Sequence, residues 1–368
     1  MERLFAEQYK GKKVFVTGHS GFKGSWLTLW LKELGADVKG YSLEPDTKPN
    51  LFDALALSAQ VNNVFADIRD YGRLQREMLE FEPEIIFHLA AQPLVRRSYR
   101  DPLKTIQTNA LGTANLLESV RHTPSVRAVV SVTTDKCYEN KETGQAYCET
   151  DPLGGYDPYS ASKAMAEIVS ASYRNSFFNP KDLGKTHRVA LATARAGNVI
   201  GGGDWSEDRL VPDIVRAIEA GENISLRNPK AVRPWQHVLE SLSGYLWLGA
   251  RLLADPARFA GAWNFGPEDN QSATVEDLVK RFIEVFNKGR YRVEADPSKH
   301  EAGLLRLDIT KAARELNWKP VWNLEETVRQ TAEWYKAFND GAVARELTLN
   351  QLKNYIEQAQ KQLAPWSK

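Results

Sequence analysis

What the 368-residue chain lacks narrows its possibilities first. It has two cysteines, Cys137 and Cys148, too few for a disulfide framework and in keeping with a reducing compartment. Neither has a partner at metal-ligand spacing, so no metal site is expected. Net charge is missing as well: 48 Lys+Arg stand against 47 Asp+Glu, which leaves no global field to attract nucleic acid or an acidic membrane surface. No apolar run reaches the roughly 18 to 20 residues of a membrane span, and residues 1–7 lack the apolar core of a signal peptide, so a cytoplasmic location is expected. Internal repeats, low-complexity segments and proline-rich linkers are absent too. What remains is an ordinary globular composition, 42% hydrophobic, with ample material for a packed core at this length.

The most informative stretch is Thr17-Gly18-His19-Ser20-Gly21-Phe22-Lys23-Gly24. An apolar run, Val14-Phe15-Val16, precedes it, and Ser25 to Leu31 continue with helical spacing of apolar residues, so the glycines sit on a strand-to-helix turn. Such a turn lets backbone N–H groups approach a pyrophosphate that the helix N-terminus then stabilises. Gly18, Gly21, Phe22, Lys23 and Gly24 are therefore candidate dinucleotide contacts.

From residue 13 to about 195, strand-like and helix-like segments alternate. Strands are expected at 13–17, 37–41, 63–66, 85–88, 127–132 and 188–194, with helices at 21–34, 72–82, 102–121 and 158–178. That order predicts an α/β fold, a Rossmann-type doubly wound parallel sheet. Beyond Arg195 the alternation loosens, which suggests a smaller C-terminal substrate-binding lobe: 1–195 would hold the dinucleotide and the catalytic residues, 196–368 mainly the substrate. A helix is expected at 275–287, and the tail 325–368 is expected to be helical and amphipathic.

Ligands of such sheets bind outside the carboxyl ends of the strands. After the second strand an acid should read an NAD ribose, or a base the 2′-phosphate of NADP. Here the chain reads Gly40-Tyr41-Ser42-Leu43-Glu44, with Glu44 late and no acid earlier. Lys23 and His19 are alternatives for the adenosine ribose, so NAD is favoured and NADP stays open. Asp67, followed by Ile68, stands after the third strand, where it can meet an adenine amino group or simply cap a turn. Leu89-Ala90-Ala91-Gln92 follows the fourth with small side chains that admit a cofactor, and Gln92 to Ser98 reads as a loop whose Arg96-Arg97 pair is placed for a substrate anion.

Thr133-Thr134-Asp135-Lys136-Cys137-Tyr138 follows the fifth strand, and Tyr159-Ser160-Ala161-Ser162-Lys163 opens a helix. The four-residue spacing sets Tyr159 and Lys163 on one face, where the ammonium is expected to lower the phenol pKa from near 10 toward use as a base.

With these motifs the chain resembles the extended short-chain dehydrogenases/reductases along nearly its whole length. Within them it is similar to the nucleotide-sugar 4,6-dehydratases, and most to those acting on CDP-glucose. Gly18 to Leu27, Ala91 to Arg96 and Thr134-Asp135-Lys136-Cys137-Tyr138 carry the closer match. Sister dehydratases carry a second carboxylate where this chain has Lys136, and epimerases lack the acid and base pair.

The resemblance implies oxidation at C4 of the sugar, elimination of water across C5 and C6, and return of hydride to C6, with no net redox. Tyr159 would take the proton of the 4-hydroxyl, Thr134 polarise it, and Lys163 hold the nicotinamide ribose. Asp135 would protonate the departing 6-hydroxyl, and Lys136 would remove the C5 proton or stabilise the enolate, an Asp–Lys ion pair being the plainer alternative. Substrate contacts carried over are Gln92, Arg96, Asn198, Arg209, Arg233 and His300, the last in a segment where relatives read the base; Leu304 and Leu305 depart from the pattern there. Cofactor contacts are those of the glycine turn with Asp67, Ile68, Leu89, Ala91, Tyr159 and Lys163. The resemblance also implies a homodimer, or a higher oligomer, built on helices 102–121 and 158–178, and a place in deoxysugar synthesis for lipopolysaccharide O-antigen.

Overall fold

All six expected strands form and lie parallel in one sheet, and a seventh joins them. The strands are β1 (Lys13–Thr17), β2 (Asp37–Ser42), β3 (Asn62–Phe65), β4 (Ile85–His88), β5 (Ala128–Val132), β6 (Ala190–Ala196) and β7 (Gly261–Phe265), in the spatial order β7-β6-β5-β4-β1-β2-β3. The computed structural model describes residues 1, 3–141, 144–268, 273–294 and 305–368. Every residue of β4, β5 and β6 is buried, as expected of parallel strands covered on both faces, which explains why they read as continuous apolar runs without alternation. The order reverses between β1 and β4, and that switch point is where the crevice opens.

Helix α1 (Phe22–Glu33) and helix α2 (Pro158–Ser176) start where expected. Asp157 caps α2 through Ser160 N (2.9 Å), with Pro158 at the first turn. The predicted helix 102–121 is continuous but contains a π-helical turn at Gln107–Leu111. Asn109 in that turn donates to Ser162 Oγ (2.8 Å) and brackets Gln92, accepting from its N and donating to its O.

Three elements depart from expectation. Val95–Arg100 is a helix rather than a loop; Ser98 turns its Oγ back onto Val95 O and receives Tyr159 N (3.1 Å), so the short helix is held by tertiary contact. The seventh strand has only five residues, with Gly261 and Asn264 among them, a weak strand pattern by itself. Helix α3 (Val238–Ala254) is buried at 14 of its 17 positions; a helix apolar all round shows no amphipathic period to read.

Helix α3 is also the centre of the larger core. Gly244 lies against Phe265 and Gly249 against Tyr9 and Phe87, places where a side chain would collide. The C-terminal segment forms two helices, Leu324–Asn339 and Ala344–Lys361, the second reaching α3 through Tyr355 on Ser243 and Glu240. Buried Glu240 accepts from Val321 N, Trp322 N and Tyr355 OH at 2.7–2.9 Å, tying that segment down. Trp26, Trp30, Trp263, Trp318, Trp334 and Trp366 are all fully buried. Both cysteines are free, and no helix among the described residues is long and apolar enough to cross a membrane.

Candidate active site

A cleft of about 930 Å³ opens at the carboxyl ends of β1, β2, β4 and β5. Its cofactor wall is backbone. Gly18 has φ +74° and closes onto the next strand; a Cβ there would lie 2.7 Å from Ala90 N and 2.8 Å from Leu89 C. At Gly24 a Cβ would overlap Gly18 O, so α1 can start this close to the turn only with glycine. The first-turn N–H groups of α1 have no intrahelical partner and face the cleft, the arrangement that suits a pyrophosphate.

Asp67, Ile68, Leu89 and Ala91 line the same wall. The Asp67 carboxylate is gripped by Arg69 through two bonds, 3.1 and 2.7 Å, which holds its pKa below the usual range.

The two residues expected to lie near the adenosine ribose do something else. His19 does not line the cleft. It is buried beneath Gly40, with Nδ1 at Ser42 Oγ (3.0 Å) and Nε2 at Asn63 Oδ1 (2.5 Å), and burial pushes it down to about 4, so it stays neutral. Lys23 turns away from the second strand, toward α3. Its Nζ reaches Tyr245 OH (3.4 Å), and burial, with the charges of Arg209 and Lys163, lowers it to about 7.

The catalytic wall is made of side chains. Thr134 Oγ donates to Asp135 Oδ1 (2.9 Å), and its hydroxyl favours the ionised form of the Tyr159 phenol. Lys136 Nζ lies 3.5 Å from Asp135 Oδ1, so the adjacent acid and base form an ion pair at the mouth of this turn. Tyr159 and Lys163 sit one turn apart on α2, both buried. The expected tuning is corrected here. Lys163 Nζ donates to Val132 O (3.2 Å), and burial lowers it to about 8. Burial raises Tyr159 to about 12, against the opposing effects of the Thr134 hydroxyl and the Arg209 charge. In each group desolvation outweighs the neighbouring charges and hydrogen bonds that oppose it, Thr134 and Arg209 at Tyr159 and Glu167 at Lys163.

Beneath this turn lies a buried ion pair that sequence reasoning missed. Arg195 Nη2 is 2.7 Å from Glu167 Oε2, and Glu167 also accepts from Thr133 and Thr193. Arg195 Nη1 reaches Tyr138 OH (2.7 Å), which donates to Asn264 on β7. The available signal was Glu167 four residues after Lys163 on the same helix face.

The remaining candidates rim the cleft. Gln92 lines it, with its amide engaged by Leu94 and Thr105. Arg96 pairs with Asp208 (3.3 Å), bridging the short helix and the following lobe. Arg209 pairs with buried Asp204 (2.7 Å), whose backbone N and O are held by Tyr335 OH from the C-terminal segment. Asn198 has φ +39°, and its buried Nδ2 has no partner among the described residues. Arg233 lines the cleft too, whereas His300 and Leu304 lie outside the described residues. No grouping of His, Cys, Asp or Glu among the described residues could hold a metal.

Residues 15–331 match the family described as GDP-mannose 4,6 dehydratase. A CDP-glucose 4,6-dehydratase of Salmonella typhimurium is 48% identical over 349 residues, 95% of this chain and 97% of that protein. A dTDP-glucose 4,6-dehydratase of Streptomyces venezuelae, solved with NAD bound, is 26% identical with a TM-score of 0.75, covering 89% of this chain and 98% of its own. A UDP-glucose 4-epimerase of Thermus thermophilus in complex with NAD fits equally well, with 26% identity, a TM-score of 0.75, and 90% and 100% coverage. Shape alone therefore does not separate dehydration from epimerisation.

Proposed function

The chain belongs to the GDP-mannose 4,6-dehydratase family, and from that premise we propose that it converts CDP-D-glucose to CDP-4-keto-6-deoxy-D-glucose and water. The observation that carries the reading is the 48% identity across 95% of the chain to a CDP-glucose 4,6-dehydratase, in a protein whose Thr134, Asp135, Lys136, Tyr159 and Lys163 line one cleft with a glycine turn. The enzyme is a hydro-lyase with no net redox. NAD fits the cradle, because the two glycines let the turn and the start of α1 close where a Cβ would strike Ala90, Leu89 or the Gly18 carbonyl, which leaves backbone N–H groups to meet a pyrophosphate. Gly18, Gly21, Phe22, Lys23, Gly24, Asp67, Ile68, Leu89 and Ala91 would hold it, with Tyr159 and Lys163 at the reactive end. Bound NAD supplies the hydride acceptor for C4 and the hydride donor for C6.

The chain's own residues handle protons and charge. Tyr159 takes the proton of the 4-hydroxyl, with Thr134 and Arg209 favouring its ionised form. The 4-keto group that results acidifies C5–H. The Asp135–Lys136 pair first passes the ammonium proton to the carboxylate. Lys136, a third exposed at the cleft mouth, then removes the C5 proton as the free amine, and Asp135, now a carboxylic acid, protonates the departing 6-hydroxyl. Lys163, anchored on Val132 O, orients the site from beneath. Gln92, Arg96, Asn198, Arg209, Arg233 and His300 serve the nucleotide sugar, the arginines meeting its diphosphate. In this division of labour residues 1–195 carry cofactor and catalysis and 196–368 mainly the substrate.

We place the enzyme in the cytoplasm, in deoxysugar synthesis for lipopolysaccharide O-antigen. A homodimer is supported by the outward face of residues 102–121 and 158–176: Leu103, Leu111 and Ile168 are more than half exposed, while Leu116 and Leu117 belong to the core. Incubation with CDP-, dTDP- and UDP-glucose and GDP-mannose, with mass detection, tests the function. Loss of one water from CDP-glucose is expected; a product of unchanged mass from every donor would overturn it.

A further inference from the structure

Behind the catalytic turn, away from the main cleft, lies a second and much smaller cavity of about 10 Å³, whose border includes Asp135, Gly197, Gln236, Glu268, Arg306 and Leu307. Three polar atoms on its border are buried and have no hydrogen-bond partner among the described residues: Asp135 Oδ2, Gln236 Oε1 and Arg306 Nε. Asp135 and Gln236 are 1% and 2% exposed. Leaving three such groups unsatisfied is costly, and the volume is at the lower end of what holds one water, which needs two to four polar partners.

The surrounding contacts fix each atom. Gln236 Nε2 donates to Gly197 O (3.1 Å) and Phe265 O (3.0 Å), which leaves its carbonyl oxygen for the cavity. Arg306 is held by Nη2 on Gly144 O and by its own carbonyl, which accepts from Tyr147 N (2.9 Å). Asp135 Oδ1 accepts from Thr134 on the cleft side, while Oδ2 lies against Gly197, where any Cβ would run into the carboxylate. One donor and two acceptors around a one-water space form a complete set: the water accepts from Arg306 Nε and donates to Gln236 Oε1 and Asp135 Oδ2.

We infer that a single internal water occupies this cavity and that Arg306 and Gln236 act through it as positioning residues for Asp135. With Oδ2 held by the water, the carboxyl is fixed with Oδ1 on the Thr134 and Lys136 side, where the sugar must lie. The inference rests on the reading of Asp135 as the group that protonates the 6-hydroxyl, and it adds two residues that touch neither substrate nor cofactor.

A high-resolution crystal structure of the protein tests the water, which should lie within hydrogen-bond distance of all three atoms; a dry cavity there would overturn the inference. Arg306→Met and Gln236→Leu test its consequence in the full-length enzyme. Oxidation at C4 precedes elimination, so slowing the acid step on the order of tenfold should lower kcat, leave KM unchanged and let reduced nicotinamide build up in its near-ultraviolet absorbance during turnover. Arg306→Lys, which keeps a donor, should recover most of the rate. A purely structural role predicts a lower Tm and no such build-up, and that outcome, like wild-type kcat in Arg306→Met, contradicts the inference. Asp135→Asn separates the two levels. If it dehydrates at full rate, the acid assignment itself falls; if it is slow while Arg306→Met is normal, only the water-mediated positioning falls.

Discussion

Along the cofactor wall of the cleft the backbone itself makes the surface, while along the catalytic wall the surface is made of buried charge. Gly18 and Gly24 sit where a Cβ would strike Ala90, Leu89 or the Gly18 carbonyl. Opposite them, Asp135, Lys163 and the Glu167–Arg195 pair are nearly inaccessible to solvent. The first wall depends on volume, and tolerates no added carbon. The second depends on charge balance, and should tolerate changes of shape better than changes of charge, because an unpaired ion in a low-dielectric interior is costly.

Four substitutions or conditions test that contrast, taken from the largest expected effect down. Lys136→Met removes the proposed C5 base and should lower kcat by roughly 10²- to 10⁴-fold, the range of general acid–base contributions. With substrate deuterated at C5, wash-out of the label should stop; continued wash-out would assign the base elsewhere. Glu167→Gln leaves Arg195 buried without its counter-ion and should cost about 3–5 kcal/mol in chemical denaturation. A loss under 1 kcal/mol would mean that the catalytic wall does not rest on this pair.

Gly24→Ala adds one carbon to the backbone wall. It should weaken NAD binding in calorimetry and cost about 1–3 kcal/mol of stability through the forced backbone shift. Unaltered NAD affinity would remove the cradle from its role. Group by group, the smallest effects are those of pH. His19, His88 and His237 are pushed by burial to about 4, 3 and 3, below their ordinary value of 6.5.

Each of these histidines stays neutral in the fold, so its contribution is present above about pH 6.5 and lost as pH falls toward its folded value. At about pH 5.5 that amounts to roughly 1.4 kcal/mol for each. Glu240 runs the other way. Burial raises it to about 7, so it favours the fold at low pH and loses that contribution as pH rises from about 4.5 to 7. Lys23, lowered by burial to about 7, adds roughly 1 kcal/mol of loss as pH falls from about 7.5 to 5.5. The net loss between about pH 7.5 and 5.5 should therefore be roughly 3 kcal/mol, measurable by urea titration at the two values.

The walls also differ in how legibly they are written in the sequence. The glycine turn, the six strands and the Tyr159–Lys163 pair are local patterns, and local patterns survive in the fold because the backbone requirement is local. Helix α3 was invisible because burial on all sides erases amphipathic periodicity. Lys23 read as a ribose contact because it follows the glycines, yet its side chain runs to Tyr245, more than two hundred residues away in sequence. The tuning of Tyr159 was misread for a related reason. Spacing placed the lysine on the correct face, but the balance between a neighbouring charge and desolvation depends on how deeply both groups are buried. Glu167 and Arg195, on α2 and β6, meet only when the sheet and its covering helix assemble.

The claim at the centre of the account is that hydride leaves C4 and returns to C6 of the same sugar while a water is lost. CDP-glucose carrying deuterium at C4 examines it directly, by mass and nuclear magnetic resonance of the product. The account predicts a product lighter by one water with the deuterium on C6. Deuterium still on C4 of a sugar that has lost no water would contradict it and make the protein an epimerase built on the same fold.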